Sequence, residues 1–254
     1  ATANRTVTVV GNRSVDLNAT VAMDMLWVPS GTFTMGSPTT EAGRQADRED
    51  EHNVSLTQGF YLGKYEVTQA QYEAVIGTNP SEFNATGNGN RPVEKVNWTE
   101  AVAFCNLLTN QEQAAGRLPA GWAYVLPTES QWEYACRAGT TTKYFFADDS
   151  AKLGEYAWYD KNDGGSSHPV GRKKPNPWGL YDIHGNVWEW CQDWYGDYPS
   201  GLVTDPTGPT SSDRRLLRGG SYANPSSHVR SAFRNNFRGN RAVSVGFRLA
   251  RTYR

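Results

Sequence analysis

Residues 175–190 (Pro-Asn-Pro-Trp-Gly-Leu-Tyr-Asp-Ile-His-Gly-Asn-Val-Trp-Glu-Trp) constrain the fold more than any other stretch of the chain. Three tryptophans and a tyrosine stabilise a fold only where they are buried. Two glycines and Asp182 do not suit an ordinary core strand. No helical or strand period runs through the stretch. It reads as a buried irregular segment held by side-chain packing, with an ion as a candidate partner for its carboxylates.

The rest of the chain has the same character. With 25 Gly, 13 Pro, 9 Trp and 13 Tyr but only 38% hydrophobic residues, it builds its core from aromatics and turns more than from aliphatic helices. Its 254 residues suffice for one large domain or two small ones. The formal charge is −1, with Lys and Arg scattered, so neither nucleic acid nor an anionic membrane is expected as a partner. No apolar run is long enough for a membrane span. No signal peptide opens the chain, and its start at Ala1 points to a processed or trimmed N-terminus. Sequons at Asn4, Asn12, Asn18, Asn53, Asn84 and Asn97 are compositionally cheap. Three cysteines (Cys105, Cys136, Cys191) leave at least one unpaired.

Along the chain, residues 1–22 alternate Thr and Val with polar residues and read as an N-terminal strand or linker ahead of a domain at 23–254. Two short strands are expected around the turn at Pro29, Ser30 and Gly31, followed by an exposed acidic loop over 41–52. Strands follow at 54–56 and 60–67. Helices are predicted behind Thr68, behind Asn97 or Thr99, and behind Thr128, the first ended by Gly77 and the third near Gly139. Almost no periodicity appears from 139 to 216, and two strands close the chain at 216–222 and 245–250.

Seven blocks in order resemble the formylglycine-generating enzyme, or sulfatase-modifying factor, domain. They are 31–37 (Gly-Thr-Phe-Thr-Met-Gly-Ser), 65–68 (Tyr-Glu-Val-Thr), 91–98 (Arg-Pro-Val-Glu-Lys-Val-Asn-Trp) and 126–135 (Leu-Pro-Thr-Glu-Ser-Gln-Trp-Glu-Tyr-Ala), then 175–190, 217–222 (Leu-Arg-Gly-Gly-Ser-Tyr) and 246–248 (Gly-Phe-Arg). The resemblance implies an α+β fold, a variant of the C-type lectin fold with little regular secondary structure.

In that family the activity oxidises a sulfatase cysteine to formylglycine, with a copper-binding cysteine pair in the loop after Arg-Gly-Gly-Ser. Here the loop reads Ala223-Asn224-Pro225-Ser226-Ser227-His228-Val229-Arg230 and has no cysteine, so no copper is expected. Cys136 matches a position often disulfide-bonded to a cysteine near Ser231, which is absent. The three cysteines read as small buried hydrophobes. A related branch binds iron through histidines, but His52, His168, His184 and His228 are scattered singly. The resemblance also implies a structural Ca²⁺ held by the side chains of Asp182 and Glu189 and the carbonyls of Gly185 and Val187, a hard oxygen set. The alternative is that both carboxylates pair with arginines of the C-terminal region. A second family calcium near Asn162, Asp163 and Gly164 matches only vaguely.

The segment 221–247 is short and polar, with Arg218, Arg230, Arg234 and Arg248 placed to rigidify it by internal hydrogen bonds. It is similar to the display surface of C-type lectin folds and to the variable proteins of diversity-generating retroelements. On that reading the ligand-facing residues are Tyr222, Asn224, Ser226, Ser227, His228, Phe233, Ala242, Val243 and Ser244. The expected function is non-catalytic binding of a protein or glycan through 222–244, in an extracellular, periplasmic or cell-surface setting. An enzyme of altered chemistry is the alternative, since fold does not fix function.

Overall fold

The computed structural model describes residues 23–254; the strand or linker expected over 1–22 lies outside the described residues. Strands β1 (Met25–Val28), β2 (Gly31–Met35), β3 (His52–Leu56) and β4 (Phe60–Gly63) lead into helices α1 (Gln69–Ile76) and α2 (Trp98–Ala114). Then come β5 (Trp122–Val125), α3 (Glu129–Arg137) and the single turn α4 (Leu153–Tyr156). The chain finishes with β6 (Trp188–Trp194), β7 (Leu202–Thr204), β8 (Arg215–Arg218), β9 (Asn235–Phe237), β10 (Val245–Gly246) and β11 (Ala250–Tyr253).

All three longer helices start by the same local device. Thr68, Asn97 and Thr128 each accept from the backbone amide three residues on, and Gln71, Glu100 and Gln131 each return a side-chain bond to the cap residue's own amide. Helix α2 continues six residues past Leu108, because Glu112 is buried against Arg117 and holds the last turn.

The strands form three small sheets, ordered β1-β4-β11-β5, β10-β6-β8-β9 and β2-β3-β7. In the first, Ala250 of β11 lies opposite both Leu62 of β4 and Val125 of β5, so the first and last described strands share a sheet. Aromatic packing fills the main core: Tyr72 stacks on Phe104, and Phe247 meets both edge-on.

Two sequence expectations are corrected. The Trp-rich segment is irregular only to Val187. From Trp188 it becomes β6, central between β8 and β10, with Trp188 and Trp190 buried on one face and Glu189 and Cys191 on the other. The acidic stretch 41–52 is not a free loop. Glu49 is fully buried on Arg230, and His52 opens β3 with its ring against Tyr198.

Candidate functional site

The loop expected to display ligand contacts is anchored from beneath by arginines. Arg218, Arg230, Arg234 and Arg248 are all buried, and each meets a buried glutamate from a distant part of the chain. Arg230 grips both oxygens of Glu49 at 2.8 Å and also pairs with Glu41. Arg234 grips Glu129 at 2.6 and 2.8 Å. Arg218 pairs with Glu133 and donates to the Phe233 carbonyl at 2.5 Å. Arg248 takes both oxygens of Glu189 at 2.9 and 2.7 Å. Bidentate guanidinium–carboxylate pairs fix orientation as well as distance, so the backbone around 218–234 is held in one geometry.

Above these anchors the expected display residues divide. Ser226 and Ser227 use their carbonyls, not their hydroxyls, to accept from Tyr144 and Arg230. Val243 is exposed, and Ala242 and Ser244 are half-buried, their carbonyls serving Lys95, Val245 and Trp188. Asn224 closes the turn by accepting from Ser221. His228 is half-buried with its ring 4.4 Å from that of Phe233. Tyr222 and Phe233 depart from the expectation, because both are buried. Phe233 joins the core beside Trp188, and Tyr222 packs edge-on to Phe83. They support the surface from below.

The second cluster surrounds the segment 182–189. Asp182 and Asn186 sit at φ 54° and 59° with Gly185 at 82°, which coils 182–186 tightly. A Cβ on Gly185 would lie 2.0 Å from the Trp158 carbonyl, so only glycine fits there. Asp182, Glu189 and a third acid, Glu66, are buried within electrostatic reach of one another and of Arg248. Glu66 accepts from the Val187 amide and the Asn186 side chain, binding β6's approach to the start of α1.

Three carboxylates facing one guanidinium leave an uncompensated negative charge. Burial, reinforced by the neighbouring acids, pushes Glu66 well above the usual carboxylate range and Asp182 to about 6. The sequence alternative is met for Glu189, which pairs with Arg248 and also accepts from the Trp132 indole at 2.7 Å. Asp182 takes no arginine: one oxygen accepts from the Gly171 amide, and the other, Oδ1, is buried without a partner.

An orphaned buried carboxylate oxygen beside surplus negative charge fits a hard cation. Among the described residues no three His, Cys, Asp or Glu side chains form a ready metal set. A cation here therefore depends on the Gly185 and Val187 carbonyls. Nothing in the sequence around Glu66 singled it out, although its position in the Tyr-Glu-Val-Thr block was the available signal.

The cysteines are buried and unpaired. Burial pushes the Cys136 thiol up to about 12, and raises those of Cys105 and Cys191 as well, so none is a ready thiolate. Cys136 faces Ser231, the residue standing near the absent disulfide partner. Ser231→Cys is expected to close a bridge to Cys136, leaving two titratable thiols under denaturing, non-reducing conditions instead of four. Closing so long a loop stabilises by about 2–4 kcal/mol, read as a higher Tm that reductant abolishes.

Each histidine rests on an aromatic ring instead of joining a metal set: His52 on Tyr198, His168 on Trp158, His184 on Phe145 and His228 on Phe233. Burial drives His184 down to about 3, so it stays neutral while accepting from the Phe145 amide.

The family description "Sulfatase-modifying factor enzyme 1-like domain" matches residues 13–253. The chain belongs to the sulfatase-modifying factor family. Among curated family relatives it is 29% identical to the formylglycine-generating enzyme of Mus musculus, over 89% of this chain and 74% of that protein. It is 32% identical to the chaperone protein LppX of Paenibacillus barcinonensis, over 70% and 74% respectively. Among solved structures, Treponema denticola variable protein 1 superposes with a TM-score of 0.82 at 34% identity, covering 91% of this chain and 95% of that one. The mixed α+β fold is thereby established, and the proteins this chain resembles include an enzyme, a chaperone and a variable protein.

Proposed function

We propose that this chain is a non-catalytic binding member of the sulfatase-modifying factor family, presenting residues 223–228 and 242–244 to a protein or glycan ligand. One observation carries the reading: the loop's shape is set by buried guanidinium–carboxylate pairs, while the side chains of Ser226, Ser227 and Val243 make no bond the scaffold needs. Such a surface can change its side chains without changing its backbone. Similarity to a variable protein supports this, and the absence of cysteine from 223–230 argues against copper-thiolate chemistry.

The combined variant Ser226→Ala, Ser227→Ala and Val243→Ser is expected to keep the wild-type Tm within about 2 °C, because surface changes away from buried networks cost little. Binding on a protein and glycan array is expected to fall with that variant. A large Tm loss, or array binding that the variant leaves untouched, would contradict the proposal.

The alternative, an enzyme of altered chemistry, has one observation in its favour. Glu94 is buried beside Tyr222, raised by burial to about 7, with Oε2 lacking a partner. Such a carboxyl is poised for proton transfer. Turnover abolished by Glu94→Gln with folding intact would favour it.

In the same proposal a structural Ca²⁺ sits on the unpartnered Asp182 oxygen, with Gly185 and Val187 lending carbonyls, while Glu189 stays paired with Arg248. It would neutralise the charge that Arg248 leaves uncompensated. Metal analysis is expected to find about one calcium per chain, and chelation to lower Tm by several degrees through lost binding free energy. Stoichiometric copper or iron would overturn the binding reading; no metal, with Tm indifferent to chelator, would remove the calcium alone.

A further inference from the structure

One face of the β1-β4-β11-β5 sheet, the face whose Tyr124 enters the main core, carries a row of aromatic rings. Trp27 is opposite Tyr61, Tyr61 opposite Arg251, and Tyr253 opposite Trp122, so all five side chains share one face. Ring centroids run 5.0 Å from Trp27 to Tyr61, 5.8 Å on to Trp122 and 6.0 Å on to Tyr253. The end rings are the exposed ones, Trp27 at 52% and Tyr253 at 67%.

Both end rings rest on a glycine. A Cβ on Gly59 would fall 2.3 Å from the Trp27 ring, and one on Gly121 would fall 2.5 Å from the Tyr253 ring. Each ring thus abuts a glycine and still keeps more than half of its surface exposed. That differs from a scattered surface aromatic, which has no such seat.

Between the end rings sits a cation without an anion. The Arg251 guanidinium lies 3.9 Å from the centre of Tyr61 and 5.5 Å from that of Trp122. Its Nε is buried without a hydrogen-bond partner, and among the described residues no carboxylate pairs with it. Arg251 is half-buried, whereas each fully buried arginine discussed above has its glutamate. Next to the row, at Gly59 and Tyr253, a groove of about 340 Å³ is lined by Gln58, Gln192, Thr207 and Arg254, with Asp205 the one carboxylate in it.

Open ring faces suit the C–H faces of sugars, side-chain amides suit their hydroxyls, and an unpaired guanidinium suits a carboxylate. We propose that this sheet face binds an acidic oligosaccharide, stacking sugar rings on Trp27 and Tyr253 and seating a carboxylate on Arg251. The site is separate from the 223–244 surface and does not depend on that reading.

Calorimetric titration of the whole chain with hexagalacturonate, sialyllactose, neutral maltohexaose and hexaglutamate tests it. At least one of the two acidic sugars is expected to bind, and to bind more tightly than maltohexaose; which one does distinguishes a uronate from a sialate. Trp27→Ala and Tyr253→Ala are each expected to weaken that binding at least about ten-fold, or 1.4 kcal/mol. Arg251→Gln is expected to remove the preference for acidic over neutral sugar, with an unchanged Tm certifying the fold. Arg251→Lys, which keeps the charge but not the planar fork, is expected to recover binding only in part. The proposal is overturned if neither acidic sugar binds, if hexaglutamate binds more tightly than both, or if the Trp27→Ala/Tyr253→Ala double variant binds like wild type.

Discussion

Replacing Glu133 by alanine is expected to destabilise the protein by about 3–5 kcal/mol, the range found when one partner of a buried ion pair is removed. Glu133 is fully buried on α3, and its carboxylate serves three donors. Oε1 accepts from Arg137 and from the Gly36 amide, both at 2.9 Å, and Oε2 accepts from Arg218. Without it two buried guanidiniums lose their shared anion, and only Glu129 remains near Arg218, at 3.5 Å. Glu129 is already committed to Arg234. For a chain of this size the loss amounts to a Tm lowered by roughly 10 °C. Glu133→Gln keeps the shape without the charge and should fall between. The exposed pair Lys174–Glu155 is the control, since Glu155→Ala is expected to leave the unfolding midpoint essentially unchanged. Urea unfolding of the three variants measures all of this. A midpoint for Glu133→Ala equal to that of Glu155→Ala would mean that the arginine network does not hold the fold together.

That network also marks what was legible in the sequence. The four C-terminal arginines could be read as internal anchors because they alternate with small residues in a segment that has to be rigid. Their partners could not. Glu49, Glu129, Glu133 and Glu189 are 181, 105, 85 and 59 residues away from the arginines they meet, and nothing in local pattern distinguishes a glutamate that will be buried. The acidic stretch 41–52 looked like solvated loop for that reason. Helix starts were legible because a cap is local chemistry: Thr68, Asn97 and Thr128 each carry the reciprocating residue three positions on. β6 was hidden because both of its faces are buried, which erases the alternation that identifies a strand. Asp182 and Glu189 were singled out together, and they do share a cluster, but Glu66, whose 120-residue reach to Asn186 closes it, was not.

The contribution of Asp193 to stability should rise as pH falls from about 8 to 4, and a single variant makes it testable. Asp193 is buried at the start of α3, where its Oδ2 accepts from the Glu129 amide at 2.9 Å. Burial, then the charge of Glu129, pushes its carboxyl up to about 7, against a partial opposing pull from Arg234. An unfolded aspartate titrates near 4, so between about pH 4 and 7 the native state holds a proton that the unfolded state has lost. The stabilisation is complete below the unfolded value and is lost as pH rises through the folded one. At pH 8 the ionised, desolvated carboxylate therefore costs the fold on the order of 3–4 kcal/mol. Asp193→Asn retains an oxygen to accept from the Glu129 amide and carries no charge at any pH. The variant is expected to be more stable than wild type at pH 8 by about that amount, with the gap narrowing as pH falls and closing only below about pH 4. Urea midpoints across this range supply the difference directly, and other titrating groups cancel between the two proteins. A gap that stays constant with pH would place the effect in packing and not in the proton. A gap that opens toward acid instead would reverse the sign and show Asp193 to be stabilised as the anion.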